Sequence, residues 1–111
     1  MLLILEDVAA FQAWPLFAPH CAAKAAQAML TQVLARALAP DVRVCGIAPG
    51  PVAVESGQEE RRAAATLLGR IGSPEDVAEA VLYLAGAGFV TGTRLVVDGG
   101  VLAQSGRNPI P

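Results

Sequence analysis

The run Leu2-Leu3-Ile4-Leu5 is apolar at every position and stops at Glu6 and Asp7. A short continuous apolar run predicts a strand covered on both faces, as in a parallel sheet. The two acids would then lie at its carboxyl end, where ligands bind in open α/β sheets. Residues 8–19 read as loop and helix start, punctuated by Trp14-Pro15 and Pro19. Residues 16–38 are rich in Ala, Leu and Gln with no internal Gly, which predicts a long helix. Its apolar positions run nearly all round, so more than one side should be covered. Pro40 and Asp41 end it.

Val42-Arg43-Val44-Cys45-Gly46-Ile47 predicts a second strand. Ala48-Pro49-Gly50-Pro51-Val52 breaks it, because two prolines around a glycine leave the backbone little freedom. Residues 55–72 are more polar, and Glu59-Glu60-Arg61-Arg62 predicts a short mobile helix. Ser73-Pro74-Glu75-Asp76 is an N-cap, a proline at the first helical position and acids in the first turn. That helix should run through Val77, Ala80, Val81 and Leu84 and end near Gly86 or Gly88. Thr91-Gly92-Thr93 leads into a third strand, Arg94-Leu95-Val96-Val97, and Asp98-Gly99-Gly100 turns out of it.

The order strand, helix, strand, helix, strand predicts an α/β fold. Right-handed crossovers would make a three-stranded parallel sheet with helices on both faces. We assign residues 1–103 to one domain and 104–111 to a loop tail. So small a sheet has two edges, and the segment 2–5 is apolar enough for an interior strand. The 111 residues are 54% hydrophobic and 16% charged, with mean hydropathy +0.50. Such a chain needs a large core or a partner. Net charge is −2 with no basic cluster, which argues against nucleic acid. Cys21 and Cys45 have no metal or redox spacing, so both should be reduced and buried. Residues 1–5 lack a basic leader and are too short for a signal peptide or membrane span, which makes the cytoplasm the expected location.

The candidate chemistry centres on His20-Cys21-Ala22-Ala23-Lys24. His20 is the only histidine and Lys24 the only lysine. Four residues apart on a helix, they share a face. An ammonium beside an ionisable group on an apolar helix suits proton transfer. The plain alternative is a surface lysine and a half-buried histidine that fill space.

These segments together resemble the short-chain dehydrogenase/reductase family, over its C-terminal half. His20-Cys21-Ala22-Ala23-Lys24-Ala25-Ala26 is similar to the family's Tyr-x-x-x-Lys segment. Arg43-Val44 through Pro49-Gly50-Pro51-Val52 resembles its strand and Pro-Gly turn. Residues 69–78, Val90-Thr91-Gly92 and Val97-Asp98-Gly99-Gly100 resemble its last helix, last strand and closing turn. The nearest likeness is to the pteridine (dihydrofolate or dihydrobiopterin) reductase branch. There an Asp stands where the catalytic Ser usually is, and Asp7 holds that place, thirteen residues before His20.

The resemblance implies the C-terminal part of a Rossmann-like doubly wound sheet and an NADP or NAD cofactor. It implies that Lys24 holds the nicotinamide ribose and acidifies the proton donor. Asp7 would orient substrate or relay the proton, and the backbone of Pro49, Gly50, Pro51 and Val52 would lie against the nicotinamide. Asp7 can equally be a turn residue, and the Pro-Gly turn a plain strand terminator. Three departures stand out. His20 replaces the donor Tyr, with Lys24 disfavouring its protonated form and Asp7, if in reach, favouring it. Val54 takes the place of a Thr and cannot bond a carboxamide. No Gly-rich turn follows a strand, so the phosphate-gripping half is absent from these 111 residues. The single tyrosine, Tyr83, should pack in the last helix and not replace the missing donor.

Three functions follow. One is an NAD(P)H-dependent pteridine-type oxidoreductase, working only if another chain or segment supplies the nucleotide site. Another is a non-catalytic assembly or binding module. The third is a general ketone or alcohol dehydrogenase lineage. The first fits the ancestry and the second fits the isolated chain. Family members often form dimers and tetramers. A homo-oligomer or partner contact is therefore expected through helix 16–38, segment 76–97 and the edge at 2–5.

Overall fold

A computed structural model describes residues 1–104. Three strands, β1 (Leu2–Leu5), β2 (Val44–Pro49) and β3 (Arg94–Val97), form one parallel sheet in the order β1-β2-β3. β1 pairs with β2 from Leu2 opposite Val44 to Leu5 opposite Ile47. β2 pairs with β3 from Gly46 opposite Arg94 to Pro49 opposite Val97. The helices are α1 (Ala18–Leu38), the short α2 (Glu59–Ala64) and α3 (Pro74–Gly86).

β2 is the central strand, and its residues Val44 to Ala48 are buried. Alternation sends its side chains to two layers. Cys45 and Ile47 pack with Ala80 and Leu84 of α3. Gly46 faces the other way, where a Cβ would strike the Glu6 carboxylate. That carboxylate accepts a hydrogen bond from Thr31 of α1, so α1 covers the second face. Ala28, Thr31 and Ala35 are the buried residues of α1, one side of the helix at three- and four-residue steps.

Several expectations are corrected. β1 is not covered on both faces: Leu2 is 39% and Leu5 58% exposed. It is an edge strand among the described residues, which agrees with the edge expected at 2–5, although its apolar run is that of an interior strand. α1 begins at Ala18, after a 3-10 turn at Pro15–Phe17, and only its inner side is covered. Met29, Leu30 and Val33 face outward. Tyr83 does not pack; it and Leu82 are exposed on α3. Cys45 is buried as expected, but Cys21 is only half-buried. Leu102–Gln104 is a 3-10 turn, and the rest of the expected tail, 105–111, lies outside the described residues.

The start of α3 is fixed by a capping box. The Asp76 backbone N–H donates to Ser73 Oγ at 3.3 Å, and the Ser73 N–H donates to Asp76 Oδ2 at 2.8 Å. Arg70 donates to both Asp76 oxygens, at 2.9 and 3.2 Å. The Arg70 hydrogen bonds, then the Ser73 N–H, hold the Asp76 carboxyl well below the usual carboxylate range. A depressed carboxyl contributes stability that is complete above the unfolded value, near pH ~4, and lost as pH falls through the folded one. Urea unfolding at pH 3 and pH 7 should therefore show a smaller loss on acidification for Asp76→Asn than for the native chain. Ser73→Ala should cost about 1 kcal/mol at pH 7.

Candidate functional site

The end of β1 places the first site residue. The Glu6 N–H donates to Ile47 O at 2.7 Å, holding the strand to its last residues. Asp7 then leaves the sheet and caps the turn Val8–Phe11, its Oδ1 accepting from Ala9 N at 2.8 Å. This fixes one carboxylate oxygen and leaves the other outward. Asp7 Oδ2 lies 3.4 Å from His20 Nε2, in the first turn of α1. The side chains are 32% and 48% exposed, so the pair is open to solvent and to a ligand.

Lys24 is one turn further along α1, half-buried, but its Nζ donates to Gln27 Oε1 at 3.3 Å. The side chain is turned along the helix. The pair that the structure brings together is thus Asp7 with His20, not His20 with Lys24.

The turn after β2 lies against the end of β3. Gly50 N donates to Val97 O at 2.9 Å, and a Cβ on Gly50 would sit 2.7 Å from the Asp98 Cβ. Pro51 O accepts from Gly72 N at 2.9 Å, which ties the turn to the segment before α3. Gly50, Pro51 and Val52 line a cleft of about 630 Å³ together with Asp7. Val54 lines it too, as an apolar wall. A second cleft, about 840 Å³, receives His20. The two meet at Trp14, Arg62 and Ala65, which line both. Asp7 and His20 therefore bridge two adjoining spaces. Neither Lys24 nor Pro49 lines either one.

Sequence reasoning gave no role to Trp14 or Arg62. Arg62 reads as the solvated face of a charged helix, and nothing in its spacing points to Trp14. It also missed the support beneath the pair. Glu6 is buried, its carboxylate held by Arg94 Nε at 2.7 Å and by the Thr31 hydroxyl. Arg94 Nη2 donates to Ala28 O of α1 at 2.9 Å, and its guanidinium lies over the Phe11 ring, 5.1 Å from the centroid. One ion pair thus joins the segment after β1, β3 and α1, and that segment and α1 carry Asp7 and His20. Among the described residues no three His, Cys, Asp or Glu side chains gather as a metal site. No helix among them is long and apolar enough to cross a membrane.

A family profile described as enoyl-(acyl carrier protein) reductase matches residues 2–102. A 3β-hydroxysteroid dehydrogenase from Eggerthella lenta is 43% identical over 104 residues, covering 84% of this chain and 40% of that protein. The chain thus spans about 40% of the length of such relatives. A small-chain dehydrogenase in complex with NADPH superposes with a TM-score of 0.83 at 27% identity, over 91% of this chain and 50% of that one. A 4-hydroxyisoleucine dehydrogenase complexed with NADH and succinate gives 0.83 at 30% identity, over 91% and 45%.

Proposed function

The chain belongs to the short-chain dehydrogenase/reductase family, and from that premise we propose that it is the substrate-side half of an NAD(P)-dependent carbonyl–alcohol oxidoreductase. The observation that carries this reading is the 3.4 Å contact between Asp7 and His20 at the junction of two clefts. The residues fit one end of a nicotinamide cofactor. Gly50, Pro51 and Val52 offer close backbone along the cleft, and the half-buried Lys24 offers a cation for a ribose if it leaves Gln27. When bound, the cofactor supplies the hydride that the carbonyl carbon accepts. His20 gives the carbonyl oxygen its proton from a ring N–H, completing the alcohol, and Asp7, beside Nε2, orients the imidazole. The Val54 wall makes no carboxamide bond. No step here needs a metal ion.

Binding of the cofactor's phosphates needs a Gly-rich turn that these 111 residues do not contain. The chain by itself is then an assembly module, and catalysis belongs to its complex with a nucleotide-binding half. Its apolar helix side at Met29, Leu30 and Val33 and its open β1 edge support that second role. The contact surfaces are helix 16–38, segment 76–97 and the edge at 2–5, between copies of the chain or with a partner chain. Asp7 supports a dihydropteridine as one substrate to assay, beside hydroxysteroids and simple ketones. Two unpaired cysteines suit the reducing cytoplasm. Titrating NADPH into the 111-residue chain, followed by nicotinamide fluorescence, should give no saturable binding below millimolar concentrations. Micromolar binding would mean that the phosphates are gripped in some other way.

A further inference from the structure

The cleft that receives His20 has a composition of its own. Trp14 and Phe17 meet edge to face, ring centroids 6.3 Å apart at 79°, with Leu16 exposed beside them. Arg61 and Arg62 of α2 line the same cleft. Among the described residues neither guanidinium has a carboxylate within ion-pair distance. Glu59, the acid one turn before Arg62, has an oxygen occupied by the Gly57 N–H at 2.8 Å. The space therefore joins an apolar, aromatic wall to two uncompensated cations, with an imidazole at its edge. Its volume of about 840 Å³ suits a small molecule.

We propose that this cleft selects carbonyl compounds with an apolar body and an oxyanion, a carboxylate or a phosphate. The apolar part lies on Trp14 and Phe17, where aromatic faces give contact area. The oxyanion is met by Arg61 and Arg62, whose planar forks match carboxylate and phosphate geometry. Arg62 also lines the Asp7 cleft, so an anion held there leaves the carbonyl near the Asp7–His20 pair. This deepens the oxidoreductase reading and rests on it for the carbonyl. The oxyanion and apolar recognition stands on the cleft alone.

Trp14 is the only tryptophan and lines both clefts, so its emission reports binding in either, and the arginine substitutions assign the oxyanion to this one. The probes are 4-oxodecanoate, 2-oxooctyl phosphate and the neutral methyl ester of the first. At low salt, at least one oxyanion probe should shift Trp14 emission saturably and bind at least tenfold more tightly than the ester. The tighter of the two identifies the oxyanion. The double substitution Arg61→Gln with Arg62→Gln should abolish that preference, so that acid, phosphate and ester bind alike. Arg36→Gln, at the far end of α1, should retain it. Equal binding of acid, phosphate and ester, or no saturable response from any of them, would overturn the proposal. In a complex with a nucleotide-binding half, hydride transfer without oxyanion preference would overturn it too, while the oxidoreductase reading stood. Oxyanion preference without hydride transfer to any carbonyl would do the reverse.

Discussion

Arg94→Met should destabilise the folded chain by about 3–5 kcal/mol, the range for breaking a buried ion pair by removing one partner. The Glu6 side chain is fully buried, and Arg94 Nε lies 2.7 Å from its Oε2. Without Arg94 the carboxylate keeps only the Thr31 hydroxyl, and a charge is left buried without its cationic partner. The Ala28 carbonyl loses the Arg94 donor as well, keeping only its helical partner. Folded domains have about 5–15 kcal/mol in total, so this one change should remove much of the native population. Replacing both partners, Glu6→Met with Arg94→Met, should recover most of the loss, because no buried charge then remains. Urea unfolding followed by far-ultraviolet circular dichroism measures both. A loss under about 1 kcal/mol for Arg94→Met would show that the ion pair contributes little to the fold.

His20→Ala should lower turnover about 10²–10⁴-fold in a complex that supplies the nucleotide-binding half, the usual span for a general acid. Stability should change by no more than about 0.5 kcal/mol, because the imidazole is half exposed and packs little. The two readouts together separate chemistry from folding. His20→Tyr should raise turnover above that of the native chain, since a phenol stays neutral until it donates and reaches further than an imidazole. If alanine at position 20 turned over as fast as histidine, the proton would come from elsewhere. Steady-state kinetics with a simple ketone decides this.

The sheet and its two helical layers were legible because each rests on local signals. The continuous apolar strands, the proline and acids at the start of α3 and the Pro-Gly turn after β2 all act within a few residues. The Asp7–His20 pair was half legible. The sequence offered both residues but coupled His20 to Lys24, because helical spacing puts them on one face. It could not show that Lys24 turns to Gln27 or that a capped turn aims Asp7 at the imidazole. The exposure of Leu2, Leu5 and Tyr83 was read wrongly for a related reason. Burial depends on which neighbours arrive from elsewhere, and an apolar residue looks the same with or without them.

The order of elements, their parallel pairing and the lack of a glycine-rich phosphate turn came from the amino-acid string itself, since each follows from periodicity, chirality and turn chemistry over short spans. The union of Glu6 with Arg94 and Thr31, the placing of Trp14 and Arg62 on the same two clefts, and the exposure of Tyr83 came only from the folded chain. The first two arrangements join residues that lie far apart in the sequence. Their energy depends on removing water between surfaces that chain connectivity alone does not bring together.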